Sequence, residues 1–108
     1  MSSKFVTICG STKFRSEFDR INSELTLQGC IILSVGCFIL EDITLQQKKL
    51  LDALDFEKIE MADEVYVINK DGYIGESTAN LIKFAMSLDK KIIYLEESEL
   101  PFYAGFDC

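Results

Sequence analysis

The chain has 108 residues, 48 % of them hydrophobic and 27 % charged, with a formal net charge of −7. That balance fits one folded domain with a modest core, and the acidic excess argues against binding a nucleic-acid polymer through its phosphates. Histidine is absent, which excludes catalytic triads with a histidine base and zinc sites built on histidine.

Cysteines at 9, 30, 37 and 108 form no C-x-x-C pair. Cys9 and Cys30 sit in apolar runs, where free thiols behave as small core residues. The reading is a reducing, cytoplasmic compartment. No apolar run approaches the ~20 residues of a membrane span, so no membrane partner is expected.

The elements follow in chain order. Phe5 to Cys9, "FVTIC", is a short β-branched run and reads as a buried strand. "GSTKF" makes a turn. Phe14, Phe18, Ile21 and Leu25 then recur at helical spacing with charged residues between them, and Gly29 closes that helix. Cys30 to Val35, "CIILSV", is the second strand. "GCFILEDITL" reads as a loop. Gln46 to Ala62 is a second helix, with a stripe through Leu50, Leu51, Leu54 and Ile59. Asp63 to Asn69, "DEVYVIN", is the third strand. After the loop "NKDGYIGEST", Thr78, Leu81, Ile82, Ala85 and Leu88 mark a third helix, and Ser77 or Thr78 is its expected cap. Lys90 to Glu96, "KKIIYLE", is the fourth strand. The tail "PFYAGFDC" shows no period.

Strands alternating with helices predict an α/β domain spanning 1–108. The simplest doubly wound choice is a parallel sheet of four to five strands in the order 2-1-3-4, with any fifth strand beyond the fourth. Ligands of such sheets bind at the carboxyl ends of the strands where the order reverses. The loops after strands 1 and 3, "GSTKF" and "NKDGYIGEST", should therefore face each other.

The turn Gly10, Ser11, Thr12 and Lys13 opens the first helix. Free N–H groups, two hydroxyls and a cation can hold a phosphate there, although a simple helix cap has the same appearance. The turn is neither a P-loop nor a dinucleotide fingerprint. Gly72 and Gly75 allow a turn or close backbone approach. Tyr73 can stack on a planar base or pack on its own loop.

"FVTICGSTKF" and "IEMADEVYVINKDGYIGEST…IKFAMSLDKKIIYLE" resemble the nucleoside 2-deoxyribosyltransferase-like superfamily, which includes 2′-deoxynucleoside 5′-phosphate N-hydrolases. The similarity is to small bacterial and phage members carrying "GYIGEST". It covers nearly the whole chain, least between Gly36 and Leu50 and in the tail. The resemblance implies a flavodoxin-like fold and a nucleoside or nucleotide ligand. It also implies N-glycosidic bond cleavage by a glutamate nucleophile and a homodimer or higher homo-oligomer; no cofactor or metal is expected. The family's glycine–serine turn matches Gly10 and Ser11, and its aspartate ahead of the third strand matches Asp63. Its usual catalytic glutamate falls on Leu81.

Glu76 is the carboxylate that could replace the missing glutamate, expected at or just before the positive end of the third helix. It is the candidate nucleophile or oxocarbenium stabiliser, with its sugar-binding neighbours Gly75 and Ser77. Asp63 or Asp71 would then protonate or position the departing base. The alternative is a catalytically inactive module that senses or sequesters a nucleotide, because Leu81 stands where the glutamate is expected.

Overall fold

The computed structural model describes residues 3–35 and 42–96. Strands β1 (Phe5–Gly10), β2 (Ile31–Ser34), β3 (Glu64–Ile68) and β4 (Lys91–Tyr94) alternate with helices α1 (Arg15–Leu27), α2 (Leu45–Met61) and α3 (Glu76–Ser87). The strands form one sheet in the order β2-β1-β3-β4, and every pairing is parallel. This is the expected doubly wound, flavodoxin-like arrangement. Among the described residues the sheet has four strands, and most of the segment after β2 and the tail lie outside them.

The sheet separates two cores, because successive side chains of a strand point to opposite faces. Ile8 and Ile68 pack with Phe14, Phe18 and Ile21 on the α1 face. Cys9, Val65 and Val67 pack with Ile59, Ile82 and Ala85 on the face covered by α2 and α3. Ile8, Ile59, Ile82, Val65 and Val67 are fully buried. Each such side chain contributes about 1.5–3 kcal/mol relative to exposure. The buried Thr7 hydroxyl would be costly unpaired, and it donates to the Lys58 carbonyl in the last turn of α2 at 2.7 Å.

Three local expectations are corrected. Only part of the α2 stripe through Leu50, Leu51, Leu54 and Ile59 faces inward, Leu51 being half-buried. Ile59 is buried, whereas Leu50 is 58 % exposed and Leu54 38 %. Leu51, Asp55, Phe56 and Ile59 share the inward side at helical spacing, and the exposed Asp52 borders it. The third helix is not capped by Ser77 or Thr78. Gly75 is its N-cap, without a side-chain bond, and Glu76 is its first residue. Leu88 follows the helix and is exposed. The start of α2 does carry a full capping box, with the Thr44 hydroxyl accepting from the Gln47 amide and the Gln47 side chain accepting from Thr44.

Gly10 is set by the strand pairing. A Cβ there would lie 2.9 Å from the Ile68 carbonyl oxygen. The carboxyl ends of β1 and β3 therefore approach as closely as glycine permits, which fixes the separation of the two loops that leave them.

Candidate functional site

The loops leaving β1 and β3 meet over a cavity of about 450 Å³, within the range of small-molecule sites. Gly10, Ser11 and Thr12 form one wall, and Tyr73, Gly75, Glu76 and Ser77 another. The third wall is α2, which contributes Lys48, Leu51, Asp52 and Asp55. Thr78 and Leu81 of α3 complete the lining, with Val35 and Ile43. A smaller recess of about 100 Å³ shares Asp52, Asp55, Ser77 and Leu81 and reaches Phe56 and Asn80.

Seven of the residues expected at the site thus line one space: Gly10, Ser11, Thr12, Tyr73, Gly75, Glu76 and Ser77. Ser11 caps the short 3₁₀ turn Thr12–Phe14, its hydroxyl accepting from the Lys13 amide at 3.3 Å. That turn runs directly into α1. Lys13 lies beside the cavity rather than in its lining. Its ammonium sits 3.5 Å from the centroid of the Tyr73 ring. Tyr73 also meets Phe14 edge-on, with centroids 6.0 Å apart.

Four expected residues lie outside the lining. Besides Lys13 these are Gly72, Asp71 and Asp63. Gly72 has φ 76° and Asp71 φ 57°, and both belong to the tight 3₁₀ turn Lys70–Gly72 after β3. The Asp71 amide donates to the Glu96 carboxylate at 3.0 Å, which ties this turn to the end of β4. Asp63 is at the far end of the sheet. Its carboxylate accepts from the Phe5 amide at 2.8 Å, where β1 begins. The cavity opens beyond Gly10, where β1 ends. Five residues of parallel strand separate the two places by roughly 16 Å.

Asp52 and Lys48 receive no role in the sequence reading, and Asp55 enters it only as the second-helix position where the similar small members tend to have a histidine. Their signal is the inward side of α2, where Asp55 shares a helical stripe with Phe56 and the buried Ile59 and Asp52 borders it. The Lys48 ammonium pairs with Asp52 at 3.1 Å. Asp55 is the less exposed carboxylate and lies 3.7 Å from the Lys58 ammonium. Burial pushes the Asp55 carboxyl above its ordinary value, and Lys58 only partly offsets this. Lys58 is itself engaged, donating to the Ser34 carbonyl at 2.9 Å. Beneath them the buried Cys9 thiol is pushed up to about 12, mainly by burial with a further contribution from the Asp55 charge. Cys9 is thus an inert core thiol.

The cavity therefore has two chemical ends. The Gly10–Thr12 wall offers hydroxyls and backbone with a lysine nearby. The α2 and α3 walls offer three carboxylates, one of them biased toward its protonated form. Among the described residues no group of acidic and thiol side chains is arranged to hold a metal ion. No described helix is long and apolar enough to cross a membrane. The chain matches no protein-family model and no curated protein sequence.

Proposed function

We propose that the cavity binds a nucleoside or nucleotide and that the chain cleaves its N-glycosidic bond, as the sequence resemblance implies. The observation that carries this reading is the meeting, in one cavity, of the Gly10–Thr12 turn, the Glu76 helix start and the Asp55 carboxyl. A 5′-phosphate is repelled by the acidic walls and directed to the Gly10–Lys13 turn. The sugar then lies toward Glu76.

Glu76 is the first residue of α3 and so stands at the positive end of the helix. An ionised carboxylate beside the anomeric carbon attacks it or stabilises the oxocarbenium charge. The bond to the base breaks with its electron pair on the base nitrogen. A proton must reach that base, and a carboxyl kept above its ordinary pKa is suited to give it. Asp55 fits this role better than Asp63 or Asp71, which lie outside the cavity lining. Water or a second base then takes the sugar, giving hydrolysis or transfer.

Leu81 favours a second reading. It lines the cavity but also belongs to the core and is only 5 % exposed. It supplies an apolar contact where the resemblance leads to a glutamate, so the cavity would bind a nucleotide without cleaving it.

A thermal-shift screen of nucleosides and 5′-monophosphates, with chromatography of the same samples for free base, separates the two. A ligand at a hundred times its Kd stabilises by about 2.7 kcal/mol. For the enzyme, Glu76→Gln retains binding and loses base release by at least about 100-fold. Binding without free base from either protein gives the second reading, and no thermal shift with any compound overturns both.

A further inference from the structure

We infer that Tyr73 is a positioning residue for the Lys13 ammonium, and that this pair makes the cavity select a phosphate monoester over the parent nucleoside. The inference rests on the proposed nucleotide reading and goes beyond it by assigning the specificity to a side-chain pair across two loops.

The ring of Tyr73 is the first part of the argument. It lines the cavity and is 45 % exposed, the position expected of a base-stacking platform. Its surroundings argue for another use. The Lys13 ammonium covers a ring face at 3.5 Å, and the edge-on contact with Phe14 holds the ring in place. A base stacking on that face would have to displace a cation.

Charge supplies the second part. Among the described residues the Lys13 ammonium makes no salt bridge, whereas Lys48, the lysine in the lining, is paired with Asp52. Asp52, Asp55 and Glu76 occupy the other walls. A dianionic phosphate is therefore steered to the Gly10–Thr12 side, where Lys13 is a nearby cation with no carboxylate partner among the described residues. A lysine chain loses much rotamer freedom when it captures an anion. The aromatic face holds the ammonium in advance, and its remaining N–H groups stay available to the phosphate.

The test measures Kd for matched 2′-deoxynucleosides, their 5′-monophosphates and inorganic phosphate. The proteins are the wild type, Tyr73→Phe, Tyr73→Leu, Lys13→Met and the Lys13→Met/Tyr73→Leu double variant. The wild type should bind the monophosphate more tightly than both the nucleoside and inorganic phosphate. Lys13→Met should remove most of that preference. Tyr73→Leu should lower it about two- to fivefold, the monophosphate losing more affinity than the nucleoside. Tyr73→Phe, which keeps the ring face, should behave as wild type, and Tyr73→Leu should have no effect on the Lys13→Met background. Equal loss of nucleoside and monophosphate affinity in Tyr73→Leu would make the ring a base platform and overturn the inference. An unchanged preference would also overturn it, and in both cases the nucleotide reading survives. Inorganic phosphate binding as tightly as the monophosphate would overturn it in favour of a free-phosphate site. If no nucleoside or nucleotide binds, the inference falls together with the proposed function.

Discussion

Asp63 and Phe5 bond to each other in both directions at the amino end of the sheet. The Phe5 amide donates to the Asp63 carboxylate at 2.8 Å, and the Asp63 amide donates to the Phe5 carbonyl at 2.8 Å. The pair staples the start of β3 to the start of β1, the central pairing of the sheet. It gives an aspartate ahead of the third strand a structural role remote from the cavity.

Asp63→Ala should therefore cost stability and leave the site unchanged. The lost acceptor is exposed, so the cost should be about 1 kcal/mol, a fall of a few degrees in Tm. Nucleotide affinity and any base release should match wild type under conditions where both proteins are folded. A selective loss of base release at unchanged stability would return Asp63 to the catalytic site.

At the other end of the sheet, Asn69 does similar work from the interior. Its side chain donates to the Glu96 carbonyl at 3.1 Å and accepts from the Glu96 amide at 2.9 Å. Asn69 is fully buried. Asn69→Ala leaves two backbone groups of Glu96 without these partners, and should cost about 2–3 kcal/mol. Asn69→Asp should be no better, since a carboxylate would face the Glu96 carbonyl. Urea unfolding measures both, and a loss below about 1 kcal/mol for Asn69→Ala would show that water replaces the bonds.

The strands were legible because a parallel sheet covered on both faces needs continuous apolar runs, and "FVTIC" and "EVYVI" are such runs. The crevice was legible because strand order alone decides which loops meet. The side of α2 that faces the cavity was harder to read. Leucines at 50 and 54 suggest a buried stripe, but the helix turns Asp55 inward with Asp52 at the margin, since its inner side borders a cavity as well as a core. Acidic residues at helical spacing normally mark a solvated face. Asp63 illustrates the opposite case. A residue just before a strand of a parallel sheet lies at the amino end, away from the crevice, so its remoteness follows from the topology.

Gly10→Ala should test how tightly the two site loops are held. Its Cβ would stand 2.9 Å from the Ile68 carbonyl oxygen and 3.0 Å from the Ile68 Cβ. Neither atom belongs to a flexible side-chain end, so β1 and β3 must separate locally. The expected cost is about 1–3 kcal/mol. The same shift moves Ser11 relative to Glu76, so nucleotide binding should weaken even where the variant is fully folded. Wild-type affinity in a destabilised Gly10→Ala would show that the loops adjust independently of the strands.

Asp55 links the chemistry of the site to the stability of the fold. Burial raises its carboxyl above the ordinary value, so the native chain holds this proton more tightly than the unfolded chain. Where the native state binds more protons, stability falls as pH rises. Asp55 is therefore without penalty below the ordinary carboxylate range and becomes destabilising as pH climbs through that range and past its raised native value. Asp55→Asn removes the charge and keeps the shape. It should raise Tm at about pH 7 and change it little at about pH 3, where both side chains are neutral. Lys58 retains the Ser34 carbonyl as a partner in the variant, which limits the cost of losing the ion pair. If the chain cleaves nucleotides, the same substitution should lower base release about 10²- to 10⁴-fold with little change in ligand affinity, the signature of a lost proton donor. A variant less stable than wild type at neutral pH would mean that the attraction to Lys58 outweighs burial, which removes the ground for assigning Asp55 as the acid.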